Sequence, residues 1–279
     1  MTGGVAAVSV TRTIIPEVVR QAALFPQVDL PDPPPEHPYT IVHRDGYDVG
    51  LFPGMSFGQV SARAIAEDAI EHTIAEARSL LAENGKSQAA WMVPEAASPD
   101  GLADRLRGLG MVPYEEPPLE PRFAAMAVVT PTEPGPPGVE AQLARTFEEF
   151  QAGNRLAGDA FEVSDEDRHA FEAQERLMWD IESGGGAFRT FIALSDGSVV
   201  GCSGVIFGAN AVYLSGGSTR ADMRGRGVYR ALVRARWDAA VERDTPALTV
   251  GAGRMSQPIL ERLGFVTVGW IDCLLDRFG

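Results

Sequence analysis

Proline is spread so unevenly along this chain that it dictates where regular structure can lie. Eighteen of the 20 prolines fall in the first 139 of the 279 residues, and only Pro246 and Pro258 fall in the remainder. A proline removes a backbone N–H and clashes with the preceding turn, so no long helix or central strand runs through a cluster of them. Thr130-Pro-Thr-Glu-Pro-Gly-Pro-Pro-Gly138 is such a cluster. It reads as an extended, semi-rigid spacer. The division that follows is a first domain over 1–130, a Pro-rich linker over 131–138 and a second domain over 139–279. Asp32-Pro33-Pro34-Pro35 is a shorter break, a connector near the start of the first domain. At about 100–200 residues per domain, the length accommodates two.

Several function classes are disfavoured by composition. With 45% hydrophobic and 22% charged residues the chain is not disordered as a whole. It has no run of about 18 apolar residues to span a membrane as a helix. Residues 1–12 lack a charged leader followed by a sustained apolar core, so no signal peptide is expected. Two cysteines, Cys202 and Cys273, are too few for a disulfide framework and point to a reducing, cytoplasmic setting. The net charge, 24 − 38 = −14, disfavours non-specific nucleic-acid binding. The four histidines, at 37, 43, 72 and 169, have no ligand spacing, so no metal is expected. No Gly-x-Ser-x-Gly elbow is present, which argues against a serine hydrolase.

The second half has a readable order of elements. Val139 to about Gly158 and Ser164 to about Glu182 are amphipathic and predict two helices, the second with Ser164 as its N-cap. Strands are predicted at Phe188–Leu194, Val199–Phe207 and Ala211–Ser215, with Asp196-Gly197 turning the first into the second. A helix follows from about Val228 to Arg243, then a strand at Ala247–Val250, a short helix at Ser256–Leu263 and one or two closing strands over Val266–Asp276. The first half repeats part of this order. It has a hairpin around Asp45-Gly46, a helix from about Gln59 to Glu83, a strand at Ala89–Val93, a helix ending at Leu109-Gly110, and a strand at Ala124–Val129. Trp91-Met-Val93, Ser98-Pro99 and Leu109-Gly-Met-Val112 match Leu248-Thr-Val250, Gln257-Pro258 and Leu263-Gly-Phe-Val266, which points to an internal duplication.

Arg224-Gly225-Arg226-Gly227-Val228-Tyr229 sits between a predicted strand and a predicted helix N-terminus, where free N–H groups and the helix dipole favour an anion. Arg220, Arg224 and Arg226 add positive charge. The loop does not end in the Gly-Lys-Ser/Thr of a nucleotide P-loop, and Arg230 stands where a dinucleotide fingerprint needs its third glycine. Two readings stay open from spacing alone: a phosphate cradle, or a loop that needs glycine for its turn and is basic by coincidence. Residues 189–279 carry 11 arginines and 8 acids, whereas residues 140–182 carry 12 acids and 4 arginines. A phosphate-rich ligand on the first stretch and a cationic one on the second would suit that placement.

The order of two helices, a three-strand meander, Arg-Gly-Arg-Gly-Val-Tyr, a helix, a strand and Leu263-Gly-Phe265 resembles the GCN5-related N-acetyltransferases (GNATs). Arg224 and Gly227 match that family's Gln/Arg-x-x-Gly-x-Gly/Ala signature, and Tyr229 departs from it at the final small position. The resemblance covers about residues 140–279. The first half is similar to a degenerate copy, because Phe52–Gly58, taken as the corresponding loop, lacks the arginine–glycine signature. It implies an α/β (α+β) mixed-sheet fold of two tandem GNAT-like domains, each a bent sheet flanked by helices. It also implies acetyl-CoA in the second domain, with pantetheine along Gly217, Ser218 and Thr219 and pyrophosphate on the amides of Arg224, Gly225, Arg226, Gly227, Val228 and Tyr229. The implied reaction is direct acetyl transfer to an amine, with a backbone N–H of the meander's last strand stabilising the oxyanion.

A base on that strand and a tyrosine four residues before Gly264 are common in the family. Here Ala211–Ser215 carries no glutamate or histidine, and Leu260 stands at the tyrosine position. Tyr213 and Glu162 are the polar candidates on the acceptor side. The resulting expectation is a small, cationic amine acceptor for a monomer or homodimer that binds no nucleic acid or membrane. A non-catalytic acyl-CoA-binding or sensing module is the alternative.

Overall fold

The computed structural model describes residues 14–52, 55, 57–116, 119–161 and 165–279. The first half contains α1 (Glu17–Leu24), β1 (Thr40–Arg44), β2 (Tyr47–Leu51), β3 (Gly58–Ala62), α2 (Ile70–Glu83), β4 (Gln88–Pro94), α3 (Leu102–Gly108), β5 (Val112–Pro113) and β6 (Arg122–Val128). The second contains β7 (Glu140–Leu143), α4 (Phe147–Ala160), α5 (Asp165–Glu172), α6 (Glu175–Ser183), β8 (Phe188–Ser195), β9 (Ser198–Phe207), β10 (Val212–Thr219), α7 (Val228–Glu242), β11 (Leu248–Ala252), α8 (Gln257–Arg262) and β12 (Val266–Arg277). None of the helices among the described residues is long and apolar enough to cross a membrane.

Most elements lie where the residue pattern puts them, and three differ. Gln59–Ala62 is not the start of a helix but part of β3, which pairs in parallel with β4. Gly58 admits Leu81 there: a Cβ would stand 2.1 Å from the Leu81 Cδ2. The helix begins only at Ile70, after a 3-10 turn over Glu67–Ala69. Likewise Glu140–Leu143 is a strand against β8, and the helix starts at Phe147. Thr146 is its N-cap, accepting the Glu149 N–H at 3.2 Å, while the Glu149 carboxylate accepts the Arg145 N–H at 2.7 Å. The stretch ending at Glu182 is two helices, α5 and α6, broken at Ala173–Gln174, and its expected cap Ser164 lies outside the described residues.

All strands belong to one sheet, in the order β1-β2-β3-β4-β12-β6-β11-β10-β9-β8-β7, with β5 on β12. Outward from the central β12·β6 pair, the two sides repeat the same sequence of elements. The closing strands are exchanged. β12 pairs with β4 of the first half through seven registered positions, and β6 pairs with β11 of the second through five. An ion pair reinforces the exchange: Arg78 on α2 bonds through Nη2 to Asp276 Oδ1 of β12 at 2.6 Å, and Asp276 is buried. The residue-130 to 138 stretch lies along α7. Thr132 O accepts Arg234 Nη1 at 2.8 Å, and a Cβ on Gly135 would stand 2.6 Å from the Ala231 Cβ.

The sheet is strongly curved. β1 and β8 stand nine strand steps apart, about 43 Å if the sheet were flat. Yet His37, just before β1, stacks on Phe188 of β8 with ring centroids 5.1 Å apart. Asp29, after α1, fastens the same closure from the other side. Its buried carboxylate accepts the Asn210 N–H at 2.9 Å, the Asn210 side-chain amide at 2.7 Å and the Ala211 N–H at 3.2 Å. Replacing it leaves those donors at the β9–β10 turn without a partner. Asp29→Ala is expected to lower the unfolding free energy by about 2–3 kcal/mol in urea titration, and a loss below about 0.5 kcal/mol contradicts this assignment.

Candidate active site

β10 and β11 are parallel neighbours for only two residue pairs, Val212↔Leu248 and Tyr213↔Thr249. Beyond them β10 is thrown off line by a bulge between Ser215 and Ser218, and the two strands separate into a fork. The backbone of Gly217–Thr219 that faces β11 is thereby free of a partner strand. The corresponding strands of the first half do not part. β3 and β4 keep four parallel pairs, and beyond them the Ile65 N–H donates to Ser98 O and the Ser98 N–H to Arg63 O, both at 2.9 Å.

The loop that follows β10 opens onto the same fork. Gly225 and Gly227 both have left-handed backbone, φ 74° and 79°, which a residue with a Cβ rarely adopts. The first bond of α7 runs from the Ala231 N–H to Gly227 O at 3.0 Å. The N–H groups of Gly227, Val228, Tyr229 and Arg230 therefore precede any intrahelical acceptor, an arrangement that favours an anion and makes the loop a candidate cradle. Arg224 and Arg226 are exposed beside it, Arg224 with its Nε 3.4 Å from Thr219 O. Arg220 is paired with Asp222 at 2.7 Å and is the less available cation. Val228 is buried in the core, so its contribution is its backbone alone.

The Tyr229 ring occupies the place left by a missing side chain. A Cβ on Gly217 would stand 2.5 Å from Tyr229 Cε2, so the glycine in the bulge compensates for the bulky residue on the helix. Behind the ring lies Arg236, buried, with its guanidinium carbon 5.7 Å from the Tyr229 centroid and its Nε bonded to Leu232 O at 3.0 Å. Among the described residues of the first half there is no such glycine-rich, basic loop. Because α2 begins at Ile70, the topological counterpart of this loop is 63–69 rather than Phe52–Gly58. It carries Glu67 and Asp68 and no glycine.

The remaining expected residues are scattered. Tyr213 stands at the apex of the fork, and its hydroxyl accepts the Gly251 N–H; burial raises its pKa, which suits a neutral phenol and not a base. Leu260 is fully buried in the second-half core. Glu162 lies outside the described residues. Beside the bulge is a cavity of about 490 Å³ that reaches Ser215 and Gly216, walled by α4, α5, α6, β8 and β9 and, from the first half, by residues 37–39, 52 and 55.

No family model and no curated protein sequence matches the chain. Solved structures do. A GCN5-related N-acetyltransferase from Kribbella flavida superposes with a TM-score of 0.66 at 19% identity, over 94% of this chain and 96% of that one. A tandem GNAT protein from the clavulanic acid biosynthesis pathway, solved without acetyl-CoA, superposes with a TM-score of 0.61 at 15% identity, over 96% and 90%. The chain has the tandem GNAT fold. A GCN5-related N-acetyltransferase from Sphaerobacter thermophilus shares it at a TM-score of 0.57 and 15% identity, over 86% and 76%.

Within this tandem GNAT fold the cavity holds two buried carboxylates that sequence reasoning did not single out. Glu175 accepts the side-chain amides of Gln151 at 2.9 Å and Asn154 at 3.1 Å. Glu182, at the end of α6, accepts the Thr190 hydroxyl at 3.3 Å. Neither is in an ion pair among the described residues. Burial pushes the Glu182 carboxyl up to about 7, opposed by the Thr190 hydroxyl and N–H and by the charge of Arg189. Burial, reinforced by the Glu182 charge, raises the Cys202 thiol to about 12, while Arg236 acts in the opposite sense. The only local hint was an acid directly before Ser183-Gly-Gly-Gly186, at a helix end entering a strand.

Glu182 has a stability consequence of definite sign. Its folded pKa lies above its unfolded one, so stability is intact below the unfolded value and falls as pH rises towards 7. From 4.5 to about 7 the shift corresponds to about 3 kcal/mol. Glu182→Gln is expected to match the parent at pH 4 and to exceed it progressively up to pH 8 in denaturant titrations. A pH-independent difference contradicts the buried, unpaired carboxylate.

Proposed function

We propose that this chain is an acetyl-CoA-dependent N-acetyltransferase with one cofactor site, in the fork of its second half, acting on a small-molecule amine. The observation that carries this reading is the contrast between the two halves. One fork is open and faces a cradle of free N–H groups with two exposed arginines, and the other is stitched shut by backbone bonds and faces acids. The residues present fit the cofactor. The amides of Gly227–Arg230, with Arg224 and Arg226, would hold its pyrophosphate, and the open edge of Gly217–Thr219 would pair with its pantetheine amides. When bound, it supplies an acetyl thioester at the bulge.

An alkylamine has a pKa of about 10 and must lose a proton before it attacks. Glu182 is assigned as the acceptor of that proton. Thr190, which bonds to Glu182, pairs across the sheet with Gly204, and Gly204 pairs with Ser215 at the bulge. A Cβ on Gly204 would stand 2.5 Å from the Ser215 Oγ, so the serine hydroxyl overhangs the bare glycine and points the polar row towards Thr190. Two strand spacings make the Thr190–Ser215 distance about 10 Å, a span that water and the acceptor would share. Tyr213 stays a neutral hydroxyl at the apex.

The buried Leu260, which offers no hydroxyl, favours a second reading as an acyl-CoA sensing module. Calorimetry and thiol release separate the possibilities. Acetyl-CoA is expected to bind the parent, and to bind Arg224→Ala/Gly227→Asp about 30-fold more weakly, since charged hydrogen bonds are lost and an acid enters the cradle. Equal affinity in the variant contradicts the cofactor site. Free CoA thiol appearing only with an amine supports the enzyme; binding without turnover across an amine panel supports the sensor.

A further inference from the structure

We propose that the acceptor is an aryl-alkyl amine, whose ammonium group is held at Glu182 and whose aromatic body is held by a wall built jointly by both halves. This deepens the acetyltransferase reading above and rests on it. The cavity of about 490 Å³ is of ordinary small-molecule size. Several aromatic rings line it. Tyr39 and Phe52 from the first half stack at 4.5 Å with 8° between planes, and His37 stacks on Phe188. Phe150 and Phe171 face the same space from α4 and α5. Stacked rings of this kind accept a flat apolar body.

Among the polar groups that line the cavity, two are buried carboxylates on α6. Glu175 and Glu182 are two helical turns apart on α6, and their environments differ. Glu175 is satisfied by two amides, whereas Glu182 receives one neutral hydroxyl and the Thr190 N–H in an otherwise apolar place. A buried carboxylate in that state favours a cation beside it. The basic side chains that line the cavity do not fill the role. Arg168 is paired with Asp159 at 3.2 Å, Arg155 is exposed, and Arg189 lowers the Glu182 pKa without forming an ion pair among the described residues.

The rings that line the cavity match a flat apolar body, whereas a polyamine or an amino sugar would leave them against polar groups. One ammonium and one aromatic ring fit. In the reaction the ammonium gives one proton to Glu182 before attack; the acetyl group then passes from sulfur to nitrogen, the electron pair of the broken carbon–sulfur bond stays on sulfur, and the second proton shed by the nitrogen ends on that sulfur, releasing CoA thiol.

Binding of phenethylamine, spermidine and glucosamine to the full chain, measured by calorimetry without acetyl-CoA at pH 8, tests this. Phenethylamine is expected to bind at least about tenfold more tightly than the other two. Glu182→Gln and Phe171→Ala should each weaken phenethylamine about tenfold while acetyl-CoA affinity holds. Phe171 is 43% exposed, so its truncation leaves the core in place. Spermidine or glucosamine binding more tightly, or phenethylamine affinity unmoved by both variants, overturns the inference. Tight phenethylamine binding with no acetylation would keep the aromatic amine site but overturn its assignment as the acceptor. Acetylation of another amine with no phenethylamine binding would overturn the inference and leave the acetyltransferase reading standing.

Discussion

The antiparallel pairing of β6 with β12 at the centre of the sheet is the contact on which the rest of the molecule depends. Each closing strand is the last element of its own half, and each completes the parallel core of the other half. Neither half can bury its side of the sheet alone, because β4 would lose β12 and β11 would lose β6. An exposed central edge of that kind is costly to leave open. The exchange also fixes the relative placement of the halves, and the half-buried Arg78–Asp276 pair holds it from the helical layer.

Two consequences follow from that fixed placement. First, the halves can diverge in chemistry without drifting apart. One fork stays open with a glycine-rich, basic loop at its mouth, and the other closes over Ile65 and Ser98. Second, the curvature brings the far edge of the first half round to β8, so His37, Tyr39, Phe52 and Met55 stand against helices they meet only in the folded chain. The half without a cradle thus has work of its own: it walls the cavity beside the bulge.

What was legible in the sequence is what local chemistry determines. Asp196-Gly197 is a hairpin turn because both residues take positive φ, and Gly225 and Gly227 are legible for the same reason. The long amphipathic α7 and the repeated Leu-Gly turn are equally local. Gln59–Ala62 and Glu140–Leu143 read as helix in the sequence because their residues tolerate either state and run directly into helical periodicity. Their strand state is set by partners, β4 and β8, that the local pattern does not contain. The cavity was not legible at all. Its two buried carboxylates lie on one helix, its rings come from positions 37 to 188, and only the curved sheet assembles them. Glu182 was in view only as the end of a helix, since its shifted titration arises from tertiary burial.

The central claim is that one of two topologically equivalent forks carries the cofactor while the other half serves the acceptor. Amide hydrogen exchange of the full chain with and without saturating acetyl-CoA, combined with the calorimetric stoichiometry, tests it most directly. The account predicts one acetyl-CoA per chain and new protection confined to residues 215–231. Two equivalents per chain, or protection over residues 58–70 of the first half, would contradict it.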